Sequence, residues 1–502
     1  MDRKKNKIKN NMILLTLLFI KMNAFSIAHS FEVYNILDYG AKSDTTFLST
    51  IAIQEAINES HKFGGGIVKI PNGKFVIGTI ILKSNVTLYL EAGAHLLGST
   101  RLEDYSDDIP VPVEVPRSKK CMIFTMDAKN VSIEGKGIIN GRGYPKYFPH
   151  KGERPMHMRF INCNNILIKD VTVKNSAAWS THLINCTRIR IEGVYFYNRI
   201  QFNNDGIDFD SCKDLFISNC KFDTEDDPIC GKSTLAKQSE NVVITNCIMR
   251  STCSGFKLGT SSKGGFKNIT ISNCIIRDTE RGAIKLICVD GGTMENINIS
   301  DIVMDNVGGP IFIRLGGRGK NYLKPKNMDY SLTGVDAIEE TPIGQIKGVS
   351  ISNIRATVSG HEEAQAGVMI TGIPGYYVED ITLNDITITF PGGGTKKDAQ
   401  RIVPEDIKRY PEQSFFGILP SYGAYIRHTK NLVMNNWTIK YAEHEERPAI
   451  FLLDVHNSEF YNIRGMAPNS NQLFLMQQES NENKYEKITT FKGENIIVNQ
   501  NP

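Results

Sequence analysis

The sequence predicts an all-β fold: a single-domain parallel β-helix with one helix near its start. Three observations carry this. Short segments that alternate β-branched and polar residues recur along most of the chain, among them IVKI (67–70), RIRI (188–191), VVIT (242–245) and ITLN (381–384). They recur at a fixed period. Asn219, Asn246, Asn273 and Asp301 hold matching places in SNC, TNC, SNC and SDI, at spacings of 27, 27 and 28, and Asn353 follows after a further 52. Cysteines keep step, with Cys163, Cys186 and Cys212 in similar contexts and Cys220, Cys247 and Cys274 in a second series. A self-similar strand–turn unit of this length is the signature of stacked coils. Each coil lies about 4.8 Å above the last. A β-sandwich also has many short strands, but it has no reason to hold one register through four consecutive units.

The elements follow in order. Residues 1–30 read as a signal peptide. Positions 3–9 are basic, Met12–Ile20 is a nine-residue apolar run, and Ser26 with Ala28, or Ala28 with Ser30, suits cleavage. Nine residues do not cross a hydrocarbon core of about 30 Å. Export to the periplasm or the exterior is expected, with no membrane span after cleavage. A helix is expected around Thr50–Lys62, where Ile53, Ala56 and Ile57 recur at helical spacing and Gly64-Gly65-Gly66 ends it. Strands then run from Ile67, and the β-helix domain is set at 31–490. Pro391–Pro420 interrupts it with GGG, a charged run and YPEQSFFGILP. That reads as a long loop or excursion bordering the cleft. Strand texture returns at Ala424–Ile426, Leu432–Met434 and Ala449–Leu453. The polar tail 491–502 is expected to fray.

Composition bounds the function. A chain of 502 residues, 41% hydrophobic and 22% charged, excludes a disulfide-stapled miniprotein, a collagen and a wholly disordered protein. The net charge of +4 misleads, because residues 1–30 carry +5 and the remainder −1. A nucleic-acid partner gains no support. The ten cysteines show no CxxC or Cys/His pattern with zinc spacing. Most read as small inward-pointing fillers stacked coil upon coil. No metal or cofactor is expected, and a monomer is.

Acidic residues cluster in Asn203-Asn204-Asp205-Gly206-Ile207-Asp208 and in Glu225-Asp226-Asp227-Pro228-Ile229. Asp205 and Asp226 are 21 residues apart, so they belong on neighbouring coils. Pro228 disfavours regular pairing, and a bend there would let Asp226 and Asp227 reach one cleft. Aligning Gly206-Ile207-Asp208, Pro228-Ile229-Cys230, Gly255-Phe256-Lys257 and Ala283-Ile284-Lys285 gives two columns. Asp205, Asp227, Ser254 and Gly282 form one; Asp208, Cys230, Lys257 and Lys285 form the other. Carboxylates and ammonium groups on one face suit a sugar chain lying along the helix. Close carboxylates also raise one another's pKa, as a general acid requires.

These residues resemble glycoside hydrolase family 28, the polygalacturonase family. DYGAKSD, GGGIVKIPNGKF and LKSNVTLYLEAGAHLLGS are similar to its helix-capped first coils, and RPMHMRFINCNNILIKDVTVKNSAAWSTH to the stretch before its active site. NNDGID resembles its Asn-Thr-Asp-Gly motif, and EDDPICGKS its Asp-Asp motif. The resemblance implies a right-handed, pectin-lyase-like β-helix and metal-free hydrolysis with inversion. It assigns Asp226 as general acid, with Asp205 and Asp227 activating water. It also implies substrate contacts from Asn203, from Lys285, which would hold a carboxylate, and from Trp179, which would wall a sugar ring. Two departures stand out. Gly-His-Gly is Cys253-Ser254-Gly255 here, and Arg-Ile-Lys is Ala283-Ile284-Lys285. Arg281 and Lys257 are the candidates to replace the lost Arg. The expected function is an exported glycosidase acting on a pectin-like acidic polysaccharide. The alternatives are a β-helix polysaccharide lyase using Ca²⁺ held by Asp, and a helix that binds glycan without cutting it.

Overall fold

A computed structural model describes residues 32–110, 118–318, 342–359, 367–467, 474–491, 493 and 498–500. The expected signal peptide falls outside these residues, as does most of the tail. Every strand pairs in parallel with its counterpart one coil on, and three strand stacks enclose one lumen, a right-handed parallel β-helix. Alternation decides which residues enter it. Val131, Ile166, Ile189, Leu215, Val242 and Ile269 stand over one another in register, and each is buried. The six cysteines of the two series lie in the same lumen core, and all ten cysteines are free thiols.

The periodic asparagines mark the corners. Asn219, Asn246, Asn273, Asp301 and Asn353 have φ between +52° and +59°. That left-handed conformation costs most L-residues about 1–2 kcal/mol, and short polar side chains tolerate it best. The amides also ladder from coil to coil: Asn246 donates to Asn219 at 3.4 Å and Asn353 to Asp301 at 2.5 Å.

Helix α1 (Thr50–Lys62) has the expected bounds and buries Ile53, Ala56 and Ile57 against the first coils. Its exit is sharp because Gly65 has φ +122° and a Cβ there would meet the Asn85 carbonyl oxygen at 2.4 Å.

The 391–420 segment is an ordered excursion. It contains a short helix, Lys396–Ala399, capped by Thr395, and a 3₁₀ turn, Gln413–Phe416. Val403, Phe416 and Leu419 pack on the outer face of the sheet against Phe312, Met369, Tyr425 and Phe451. Two fully buried arginines of that sheet hold it. Arg427 donates to the carbonyls of Val403 and Pro404 at 3.0 and 2.9 Å, and Arg314 to that of Glu405 at 2.7 Å.

His428 adds a titrating latch. Its Nε2 lies 3.2 Å from Glu405 of the excursion and its Nδ1 2.6 Å from Asp454. Arg427 also binds Glu405, while His456 and the Tyr377 hydroxyl bind Asp454. Burial opposes a charge on His428, but the two carboxylates outweigh it and raise its pKa above the usual 6.5. A raised folded pKa stabilises fully below the unfolded value and is lost as pH rises through the folded one. Thermal unfolding followed from about pH 6 upward should therefore lose stability across that window. His428→Gln should remove the step, and limited proteolysis should then cut more readily within 391–420.

Candidate active site

The site lies on one strand stack: β1 (Ile207–Asp210), β2 (Ile229–Lys232), β3 (Ser254–Leu258), β4 (Gly282–Cys288) and β5 (Ile311–Leu315). The observed register pairs Asp208 with Cys230, Cys230 with Lys257, and Lys257 with Lys285. Ser254 pairs with Gly282, and the Gly206 amide bonds the Asp227 carbonyl at 3.0 Å. The turns entering β1 and β2 therefore bring Asp205, Asp226 and Asp227 together.

Each carboxyl has its own environment. Asp205 is buried and its Oδ1 has no protein partner. Burial, then Asp226, Asp208 and Asp227, push its pKa well up. Asp227 is buried too, which opposes its charge. Lys257, at 3.0 Å from Oδ2, and Lys285 outweigh that and lower its pKa to about 2. Asp226 is half-buried, the most open of the three. Its Oδ1 accepts from the Asp227 amide at 2.9 Å and its Oδ2 from the Asn203 side chain at 3.1 Å. Arg154 Nη2 donates to the Asn203 oxygen at 3.1 Å. Asn203 thus bridges Asp226 and Arg154.

The lysines also differ from expectation. The pair Lys257/Lys285 was expected to await a substrate anion, yet each has a protein counter-ion. Lys257 meets Asp227, and its Nζ also lies 3.3 Å from the Tyr410 hydroxyl. Lys285 ion-pairs with Glu412, and its side chain is 0% exposed. Burial opposes both ammonium charges; Asp227 for Lys257 and Glu412 for Lys285 outweigh it. The physical reason is the register itself: two buried ammoniums one coil apart require anions. Trp179 departs from the open wall too. Its ring is 7% exposed, packs edge-on against His182 at 5.2 Å and is covered by Lys232 Nζ at 4.5 Å. Arg281 is exposed at the mouth of β4; burial, then Asp226, raise the Glu225 pKa, and Arg281 only partly offsets them.

Sequence reasoning missed several members. Lys232 stands 3.2 Å from Asp208. That Asp208 carboxyl is raised to about 7, by burial above all. Arg154, Tyr410 and Glu412 carry no local signal, since their partners are 49, 153 and 127 residues away. Asp226, Asp227 and Cys253 offer ligand atoms within 4.8 Å of one another, the one such group among the described residues. Burial, then Asp227 and Asp226, hold the Cys253 thiol well above its usual range. The group is poor in oxygen ligands for Ca²⁺, which takes about six to eight.

Comparisons place this geometry among known proteins. A family model described as glycosyl hydrolases family 28 matches residues 66–406, and one described as rhamnogalacturonase A/epimerase, pectate lyase-like, matches 33–98. A probable polygalacturonase of Vitis vinifera is 25% identical over 362 residues, 64% of this chain and 73% of the relative. An exo-poly-alpha-D-galacturonosidase of Dickeya chrysanthemi is 28% identical over 252 residues, 39% of this chain and 41% of the relative. The solved family 28 exopolygalacturonase of Yersinia enterocolitica shares the fold, with a TM-score of 0.55 at 17% identity, over 91% of this chain and 78% of that one.

The Lys257–Asp227 pair generates a prediction. Lys257→Met leaves Asp227 buried without its ion-paired counter-charge, which costs up to about 3–5 kcal/mol. In the native chain the pair's stabilisation is present above the unfolded Asp pKa and is lost as pH falls toward about 2. In the variant the Asp227 pKa rises, so the loss should be largest near neutrality and shrink in acid, where Asp227 takes a proton. Urea unfolding near pH 7 and pH 4 measures both ends.

Proposed function

Because the chain belongs to family 28 of the glycosyl hydrolases, we propose that it hydrolyses O-glycosidic bonds of a pectin-like acidic polysaccharide with inversion. The chain is a glycosidase; the polymer, the stereochemistry and the roles below are this reading's own. The polygalacturonase names of its relatives support a pectic polymer. One observation supports the roles: three adjacent carboxyls whose surroundings differ, with Asp227 held ionised by Lys257, the pKa of Asp205 pushed well up by burial and its acidic neighbours, and the half-buried Asp226 held by Asn203.

Asp226 is the member able to reach a leaving oxygen, and it delivers the proton as general acid. Asp227, anionic at neutral pH, takes a proton from the attacking water, and Asp205 helps position that water. The nearest ligand atoms of Asp226 and Asp227 lie within 4.8 Å. Carboxyl separations in inverting enzymes are about 6.5–9.5 Å, and in retaining ones about 5–5.5 Å. Product stereochemistry therefore tests the assignment directly.

The basic and apolar N-terminus supports export, and among the described residues no helix is long and apolar enough to cross a membrane. Membership of a hydrolase family argues against the lyase alternative. The preserved, oriented carboxyl set argues against a helix that only binds glycan.

Asp226→Asn should lower turnover by about 10²–10⁴-fold while leaving thermal unfolding unchanged, as measured by reducing-end release from a panel of pectic glycans. Near wild-type turnover would remove Asp226 from its role. Proton NMR of the first products should show the inverted anomer; retention would reassign Asp227 from base to nucleophile. Activity should persist far into acid, because Asp227 stays ionised down to about 2.

A further inference from the structure

Family members are expected to grip a uronate carboxylate through a motif Lys and Arg, yet neither is available to a substrate here. The Arg position is Ala283, buried with the core. The Lys285 side chain is 0% exposed and ion-paired with Glu412, itself 6% exposed. Glu412 is not free to swing away. It opens the turn Gln413–Phe416, whose Phe415 amide donates to the Glu412 carbonyl at 3.1 Å. The neighbouring Gln413 donates to the Gly367 carbonyl at 2.7 Å, and Phe416 is buried in the apolar contact with the sheet. Pulling Glu412 aside would leave a buried charge without its partner, which is strongly unfavourable. Lys257 is likewise held, by Asp227 and the Tyr410 hydroxyl, and Lys232 by Asp208. An incoming carboxylate would find Lys285, Lys257 and Lys232 already paired with carboxylates of the protein.

We propose that Glu412 is a specificity-determining residue that fills the uronate-carboxylate position over Lys285, so that the sugar seated there is uncharged. This rests on the glycosidase reading above and narrows its substrate: a pectic chain whose residue at that subsite is neutral. The excursion supplies from within the protein the anion that a uronate would otherwise bring.

The test compares wild type, Glu412→Gln and Glu412→Asp on galacturonate oligomers and on the same oligomers after carboxyl reduction. Wild type should prefer the reduced oligomers. Glu412→Gln frees the Lys285 charge and should shift the kcat/KM ratio toward the acidic oligomers by roughly tenfold or more, the size of one hydrogen bond to a charged group. Glu412→Asp keeps the charge and should keep the wild-type preference. Wild type that cleaves the acidic oligomers faster overturns the proposal, whether or not either variant folds. So does a Glu412→Gln ratio equal to that of wild type. If no oligomer is cleaved, the hydrolytic reading is at fault for these polymers, and binding of galacturonate against galactose still decides the proposal. Wild type should then disfavour galacturonate and Glu412→Gln should favour it; equal selectivity in the two proteins overturns it.

Discussion

Backbone pairing between parallel coils is the constraint on which the rest of this structure depends. It sets residues about one coil apart side by side, so each position inherits a column of neighbours. In the lumen this is favourable, because like stacks on like, isoleucine on valine and cysteine on cysteine, and at the exposed corners asparagine amide ladders on asparagine amide. On the outer face the same rule is demanding. It sets Lys257 beside Lys285, both buried, and next to a group of buried acids. Neither set of charges is tolerable alone. The cluster exists because each lysine faces a carboxylate, so stability and chemistry here are one charge arrangement.

That constraint also explains what was legible in the sequence. A column is a periodic object, and a period can be counted. The strands, the Asn corners, the helix at Thr50–Lys62 and the register that unites Asp208, Cys230, Lys257 and Lys285 follow from spacing and side-chain type. The acids at Asp205, Asp226 and Asp227 were visible as clusters beside those strands. Contacts made by the excursion were not. Nothing near Lys285 points to Glu412, 127 residues on, because the segment between them returns to the sheet through apolar packing and two buried arginines rather than through the repeat. Lys257, Lys285, Trp179 and Asn203 are each engaged with another part of the protein, and spacing along one strand carries no sign of those contacts.

The structure thus separates two tasks. The coil turns that precede β1 and β2 fix the three acids, and their geometry is tied to the lumen: Gly206 to Asp227 by backbone bonding, and Asn204 to the carbonyls of Ser176 and Ala178 at 2.9 and 3.0 Å. A change there disturbs the stack itself. The excursion is tied to the outside of the sheet, so its residues can vary without shifting a coil. What it presents at Tyr410 and Glu412 decides how much of the positive charge on β3 and β4 a substrate can feel. A catalytic set built into the repeat, with charge selectivity supplied by an added segment, lets one scaffold keep its bond-cleaving chemistry while the sugar it accepts changes. The loss of the motif Arg and the presence of Glu412 are then two aspects of one arrangement: with the carboxylate position filled from within, an arginine there would have no anion left to bind.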